Sequence, residues 1–419
     1  MKMRKISTLI IALIVVGSSI AQRIKTDDIE YRYIKLPTNP IASSIKNYQS
    51  SIFASYEAEN ANLMAKYEQE KQLAEQEYQQ AMAEYPAKVK AAEDKYAQEM
   101  AAWKEKSMAE KILEKQLLNE NNKPVKNIPY APYKRNVSMP KLKGTYDYAA
   151  LASTYIKLDG FENNQDNAVK IIVTLNGYEY TTPRQVTEQK SVVSSSNGST
   201  TTSQVNYYHV EFTYRHTMSV KAIGADGKEL FYLTPQELNS YKTYKSAESK
   251  TSVSYNEEAL AKTYEEKILQ ENLTFISNLV NDRIGFKREP RKTGIDYIKS
   301  KDETYADLLM AYNEASSGLN ALADDGEGAK TKLNHAIEIW NTALQESDIT
   351  NRKARIDKDV TISIYFNLLE AYFATRNIEG FDKIMGNLNT MSISNSERRK
   401  KEQYDLLFID LKKRMQANK

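Results

Sequence analysis

The pattern of apolar and polar positions divides the chain into a helical region, a strand region and a second helical region. Residues 43–122 contain no glycine and are rich in Ala, Glu, Lys and Gln, which favour helix. Tyrosines recur there at intervals of eleven residues, which is three helical turns. This spacing predicts a long amphipathic helix with one apolar seam, which includes Tyr56, Tyr67, Tyr78 and Trp103. The preceding residues 22–42 predict a short strand.

Pro86 interrupts the predicted helix. A proline inside a helix removes a backbone hydrogen bond and kinks or divides the helix. We favour a helical hairpin whose two arms pack seam against seam, and a single kinked rod is the alternative. Residues 123–145 follow and hold four of the ten prolines. They predict an extended, semi-rigid connector, or a segment that lies along a domain surface.

Residues 146–255 have the period-two pattern of a β domain. Between Tyr208 and Ala222, apolar and polar residues alternate over fifteen positions, which predicts an antiparallel sheet with one solvated face. Asn197-Gly198 lies in a segment rich in Ser and Thr that could be a disordered loop. Because Asn-Gly suits a two-residue turn, we favour a long hairpin arm that projects from the domain and contacts partners.

The last part of the chain has helical periodicity and contains one phrase twice. Residues 256–300 predict a helix and an extended connector, whereas residues 301–419 predict helices alone. The phrase Tyr-x-x-Leu-Leu-x-Ala-Tyr begins at Tyr305 and ends at Tyr312, and it recurs sixty residues later from Tyr365 to Tyr372. Each copy places an apolar stripe on one helix face, and a repeated stripe suggests stacked helix pairs.

Through this repeated phrase, the C-terminal 120 residues resemble tetratricopeptide repeat proteins. The second helix of the first unit fits the family pattern through Ala336, Trp340 and Ala343. Leu309 and Leu369 stand where the family prefers glycine, and the sixty-residue offset differs from the family's period of about 34 residues. The resemblance implies a short array of antiparallel helix pairs with a concave face for peptides or protein partners. A small helical bundle is the alternative.

Residues 1–21 have the pattern of a secretory signal peptide. Lys2, Arg4 and Lys5 precede an apolar run, and Ser19-Ile20-Ala21 provides small residues at the cleavage-determining positions. The run is too short for a spanning helix, although an uncleaved anchor is the alternative. We therefore expect an exported protein that is periplasmic or associated with the outer membrane of a Gram-negative bacterium, without an integral span after cleavage.

Charge and cysteine content exclude several classes of function. The predicted signal holds three of the 58 Lys and Arg residues, so 55 remain in the mature chain and balance 55 Asp and Glu residues. This neutral balance gives no reason to expect nucleic acid as a partner. The chain has no cysteine, which excludes disulfides, thiolate catalysis and cysteine-ligated metals.

The sequence contains no strong catalytic motif. It has no Gly-x-Ser-x-Gly elbow, no phosphate-binding loop and no His-Glu-x-x-His pair. Of the three histidines, His209 and His216 should lie on opposite faces of one strand. His335 and Glu338 form half of a helical metal site whose other half is not visible. We therefore predict no catalytic, cofactor-binding or metal-binding residues and no cofactor.

Together the patterns predict an α+β protein: a long N-terminal helical segment, a central antiparallel β domain and a C-terminal tetratricopeptide-like α-helical domain. We expect a non-enzymatic scaffold or adaptor that binds protein partners in the cell envelope and could self-associate through its N-terminal helices. A chaperone-like client holder and an envelope glycan or peptide hydrolase are the alternatives. The candidate contact residues are Tyr56, Tyr67, Tyr78, Trp103, Asn197, Gly198, Tyr305, Tyr312, Trp340, Tyr365 and Tyr372.

Overall fold

The protein combines helices and strands, as the sequence predicts. A computed structural model describes residues 24–117, 123–196, 199–299 and 303–419. Helices make up 50% of the chain and strands 25%, which confirms a mixed fold. The strands are β1 (Ile24–Lys35), β2 (Asn47–Ala54), β3 (Glu162–Asn163), β4 (Ala168–Tyr180), β5 (Arg184–Ser196), β6 (Ser199–Ile223), β7 (Glu229–Leu233), β8 (Lys242–Lys245) and β9 (Lys287–Ile298).

The helices are most frequent toward the C-terminus. They are α1 (Glu57–Glu105), α2 (Met108–Leu117), α3 (Tyr148–Tyr155), α4 (Gln236–Asn239), α5 (Glu257–Ile284), α6 (Ala306–Ala321), α7 (Gly326–Ala343), α8 (Lys358–Thr375), α9 (Ile378–Thr390) and α10 (Asn395–Ala417). Ser394 and Glu397 close a capping box at the start of α10, which satisfies backbone N–H groups that the helix itself leaves unpaired.

The central sheet is mixed rather than purely antiparallel. Its order is β3-β2-β4-β6-β5, and β7 and β8 pair with β6. Strand β2 runs parallel to β4, with Asn47 opposite Ala168, which corrects the antiparallel prediction. Parallel neighbours require a long crossover connection. The chain between β2 and β4 provides it, because more than a hundred residues leave the sheet there and return.

Strands β4, β5 and β6 form one long hairpin. Tyr180 of β4 is opposite Tyr214, and Arg184 of β5 is opposite Glu211, so both strands follow the same edge of β6. The 25 residues of β6 span about 80 Å at the usual strand rise. The last described pair is Ser196 with Ser199, in agreement with the predicted hairpin, whereas the tip residues Asn197 and Gly198 lie outside the described residues.

One face of the central sheet is covered by α5 and α3. The apolar side chains of β4 and β6 pack there against Leu273, Ile276 and Val280 of α5, and all of these side chains are buried. Asn256 caps the start of α5, and its side chain accepts a hydrogen bond from the N–H of Ala259. The sheet and α5 therefore form one core, although the predicted boundary at residue 255 separates them.

The N-terminal strand belongs to the core of the C-terminal helices. Strand β1 pairs antiparallel with β9 along all twelve residues, from Ile24 opposite Ile298 to Lys35 opposite Lys287. The inward side chains of this ribbon share one core with α6 to α10; among them are Ile29, Tyr31, Ile295 and Ile298. Segments that the sequence assigns to three modules thus form one helical module. The sequence did not predict this, because pairing across some 260 residues leaves no local pattern.

A buried polar cluster joins this ribbon to α8. Arg291 of β9 donates two hydrogen bonds to the carboxylate of Glu370, each 2.7 Å long. Tyr404 donates to the same carboxylate at 2.7 Å and Thr293 at 3.0 Å, and Tyr31 of β1 donates to its other oxygen. Burial alone would raise the pKa of Glu370, but the bonds and charge of Arg291 and the two tyrosine hydroxyls outweigh it and hold the pKa below its usual value.

The long helix α1 is continuous through Pro86, so the helical hairpin that we favoured is wrong. Pro86 itself is exposed. The helix needs no second helical arm because its seam is covered in another way, by the proline-rich segment described below.

We predict that Glu370→Gln destabilises the C-terminal module by about 3–5 kcal/mol, because it leaves the half-buried charge of Arg291 without its counter-charge. Urea unfolding followed by the fluorescence of the buried Trp340, in a Trp103→Phe background, measures the change. Glu402→Gln, at an exposed position of α10, is the matched control. Equal midpoints for the two variants would contradict the prediction.

Candidate functional site

The proline-rich segment returns along α1 as an extended chain. We call α1 the rod and residues 123–145 the strap. Their ion pairs run in antiparallel order: Lys143 with Glu59 at 2.8 Å, then Lys134 with Glu75 at 2.5 Å, then Lys126 with Glu93 at 3.0 Å. Tyr85 of the rod also donates to the carbonyl of Pro129 at 3.2 Å.

The geometry of the two chain forms explains this alignment. From Glu59 to Glu93 the rod advances about 51 Å at 1.5 Å per residue. From Lys126 to Lys143 the strap needs half as many residues, because a polyproline-type chain advances about 3.1 Å per residue, which gives about 53 Å. Each strap residue therefore covers two rod residues, and the ion pairs stay in register along the whole length.

Charge is divided between the rod and the strap. The strap has six cationic residues and no acidic residue, whereas the rod has eleven acidic and six cationic residues. Arg135 lies 3.8 Å from Glu77 beside the pair of Lys134 and Glu75, and the hydrogen bond from Lys134 lowers the pKa of Glu75. Exposed pairs of this kind are individually weak and screened by salt, so the strap is held by many small contributions.

The strap lies along the predicted seam. Along the rod, Tyr67, Tyr78, Tyr85 and Tyr96 are half-buried, while most residues on the other faces are exposed. On the strap, Val137, Pro140 and Lys143 are half-buried at intervals of three, the repeat of a polyproline-type chain. Trp103 is half-buried near the far end of the rod, where Lys111 of α2 lies 4.5 Å from its ring.

The outer side of the strap exposes a row of large apolar side chains. Tyr130 is 98% exposed, Tyr133 is 88% exposed and Met139 is 63% exposed. Their positions differ by multiples of three, the repeat at which a polyproline-type chain returns to the same face. These residues are not among the contact residues predicted from the sequence; the signal that marks them is large apolar residues at intervals of three within a proline-rich segment. We call Tyr130, Tyr133 and Met139 the outer row.

The base of the rod is fixed to the sheet domain by a tyrosine-rich socket. Tyr56, a candidate contact residue, is buried there, and its hydroxyl donates to the carbonyl of Gly144 at 2.7 Å. Asn60 and Lys143 exchange two hydrogen bonds of 3.0 and 3.1 Å between side chain and backbone. Tyr146 then donates to Glu265 of α5 at 2.5 Å. The start of the rod and the end of the strap thus meet at one point of the sheet domain.

His216 lies in the wall of this socket on β6. Its ring centroid is 6.4 Å from that of Tyr146 and 6.3 Å from that of Tyr178, and its side chain is fully buried. Neither ring nitrogen has a hydrogen-bond partner among the described residues. Burial therefore lowers the pKa of His216 to about 4, and the ring is neutral at neutral pH.

The candidate residues of the C-terminal module lie within it rather than on its surface. Tyr305, Trp340 and Tyr372 are buried in the core. Tyr312 is half-buried and donates to Asp27 of β1 at 2.8 Å, and the hydroxyl of half-buried Tyr365 accepts from Asn387 at 3.3 Å. The repeated phrase thus builds the core, and the three buried side chains present no surface to a partner.

Within the described ranges, no group of three or more His, Asp or Glu side chains is arranged to hold a metal ion. None of the helices in those ranges has the length and apolar composition that a membrane span requires. The chain matches no protein-family model, no curated protein and no solved structure. The rod, strap and outer row therefore define the candidate functional site from geometry alone.

We predict that Lys134→Glu together with Arg135→Glu detaches the strap, because two attractive pairs become repulsive. The chain has no cysteine, so spin labels can be placed at two exposed positions, Ala87→Cys on the rod and Ala131→Cys on the strap. Double electron–electron resonance should then show a broader and longer distance distribution. Adding Glu75→Lys and Glu77→Lys reverses both partners and should restore the narrow distribution; failure of this rescue would contradict the electrostatic account.

We predict that His216 makes the fold sensitive to acid. Because its folded pKa of about 4 lies below its unfolded value of 6.5, the unfolded chain binds the extra proton and stability falls as the pH falls through this window. The loss should be about 2 kcal/mol between about pH 7 and about pH 5. Urea unfolding followed by circular dichroism at both pH values measures it in the parent, in His216→Phe and in the exposed control His335→Gln. A pH dependence that His216→Phe leaves unchanged would contradict this role.

Proposed function

We propose that the protein is a non-enzymatic scaffold or adaptor of the cell envelope, exported by its N-terminal signal, and that it binds a protein partner through the strapped rod. The observation that carries the proposal is the outer row, where two tyrosines are almost fully exposed on one face of the strap. Tyrosine is enriched at protein interfaces because it combines a large apolar ring with a polar tip.

The length of the rod supports this proposal. Its 49 residues extend about 73 Å. The strap follows the rod through ion pairs along its length, and Lys111 of α2 contacts Trp103 near the far end of the rod. A long, narrow element of this kind buries little surface within its own chain, and its length suits contact with a partner at a distance from the body.

For the C-terminal module we propose a tetratricopeptide-like array. Helices α6 and α7 pack as a pair joined by a short turn, and so do α8 and α9, as expected for antiparallel neighbours. A Cβ atom at Gly318 of α6 would lie 2.9 Å from Leu333 of α7, so small residues allow close approach within the first pair. In this array Tyr305, Trp340 and Tyr372 belong to the core and serve the packing of the helices rather than partner binding.

Cross-linking in living cells tests the scaffold function. We expect tagged full-length protein to capture one envelope protein in stoichiometric amount. Tyr130→Ser with Tyr133→Ser should weaken capture at least tenfold, because exposed aromatic anchors supply much of the binding energy of an interface. The matched variant Leu406→Ser with Ile409→Ser removes two apolar side chains from another module, which are 71% and 65% exposed, and should leave capture unchanged.

Three results would argue against the proposal. A diffuse set of unfolded exported proteins would favour a chaperone-like client holder. Loss of capture in the Leu406 and Ile409 variant alone would move the binding surface from the rod to the helical module. Absence of any partner would favour a hydrolase acting on envelope glycan or peptide.

A further inference from the structure

A partly open cavity lies in the C-terminal module, away from the rod. It is bounded by the end of β1, the C-terminal end of α8, the start of α7 and the last turns of α10. Its volume is about 170 Å³, slightly larger than the engineered cavity of about 150 Å³ that holds a benzene molecule. Its apolar wall includes Leu322, Phe373, Leu407 and Leu411.

The charged side chains around this cavity are mostly cations. Lys35 and Arg414 share Asp282 of α5, at 3.0 and 2.7 Å, and Arg414 also binds Asp410 at 2.8 Å. Lys330 binds Glu327 of its own helix at 2.9 Å. These three cations therefore already have acidic partners.

Arg376 differs from the other cations. It is half-buried, and no carboxylate among the described residues lies within ion-pair distance of it. Among the described residues its guanidinium donates one hydrogen bond, to the carbonyl of Ile34 at 2.9 Å, although the group has five N–H donors. Burial without a counter-charge lowers the pKa of Arg376. The cavity thus contains one surplus positive charge with unused donors.

The backbone conformation at Arg376 is one that glycine usually adopts. Arg376 ends α8 in the left-handed region, at φ +58° and ψ +33°. Glycine is the usual residue at this position because a Cβ atom strains the left-handed conformation. The protein places a long cationic side chain where the backbone favours none, and that side chain lines the cavity.

We propose that this cavity binds a small organic acid, with its carboxylate on Arg376 and a compact apolar body of about the size of a benzene ring against Phe373 and the leucines. The guanidinium fork matches a carboxylate, which would accept two N–H bonds from it. The volume limits the apolar body to one ring or a short branched chain. The site is separate from the outer row, so it does not depend on the scaffold function.

Isothermal titration calorimetry of the full chain with benzoate tests the proposal. Benzyl alcohol has the same ring without the charge, and acetate has the charge without the ring. We expect benzoate to bind with a stoichiometry of one, at least tenfold more tightly than either. Arg376→Gly should weaken benzoate binding at least tenfold while suiting the left-handed backbone, and the exposed control Arg399→Gln should bind like the parent.

Several outcomes would overturn the proposal. They are absence of benzoate binding to the parent, equal binding by Arg376→Gly, and acetate binding as tight as that of benzoate. A peptide ending in a phenylalanine carboxylate that binds more tightly than benzoate would replace the small acid by a chain terminus. If Arg376→Gly loses its cooperative unfolding transition, Arg376→Gln decides in its place, with the same expected weakening.

Discussion

The pairing of β1 with β9 is the constraint on which the rest of the structure depends. These strands bring together the beginning of the described chain and a segment some 260 residues later, and the buried pair of Glu370 and Arg291 joins them to the C-terminal helices. Everything from β2 to α5 is inserted between the two strands. Asp282, near the end of α5, holds the junction, because Lys35 and Arg414 both bind its carboxylate.

A second segment is inserted in the same way inside the first insertion. The rod and strap leave the sheet after β2 and return before β4, and the parallel pairing of β2 with β4 is possible because this excursion supplies the crossover. The socket around Tyr56 and Gly144 brings the two ends of the excursion together. The molecule thus contains one insertion inside another, and side-chain contacts hold the two ends of each insertion together.

The two candidate binding surfaces use different physical chemistry. The strap holds its inner face on the rod through many exposed ion pairs, which leaves the aromatic outer row free for a large partner. The cavity at Arg376 instead offers, beside an apolar wall, a cation that no carboxylate among the described residues pairs, which suits a small ligand. A large contact area is the usual basis for recognising a protein partner. A directed charge in a pocket is a usual basis for recognising a small molecule.

Local patterns predicted much of this arrangement. The eleven-residue spacing of Tyr56, Tyr67 and Tyr78 identified the seam of the rod, and the prolines identified an extended segment. The Asn-Gly pair predicted that the segments on either side of it, β5 and β6, pair with each other. The candidate contact residues were predicted less well, because aromatic periodicity marks a face that is buried without saying what buries it. Tyr305, Trp340 and Tyr372 proved to be core, and the exposed Tyr130 and Tyr133 lie in a segment without helical or strand periodicity.

The sequence by itself therefore determined the elements: the long helix, the extended strap, the hairpin strands and the amphipathic C-terminal helices. Propensity, periodicity and turn chemistry act over a few residues and leave their signal there. Only the tertiary structure decided that β1 joins the C-terminal core, that β2 is parallel to β4 and that the strap replaces a second helical arm. It also decided that no carboxylate in the described part of the chain pairs with Arg376. These features depend on contacts between residues far apart in the chain, and such contacts are set by packing and charge in three dimensions.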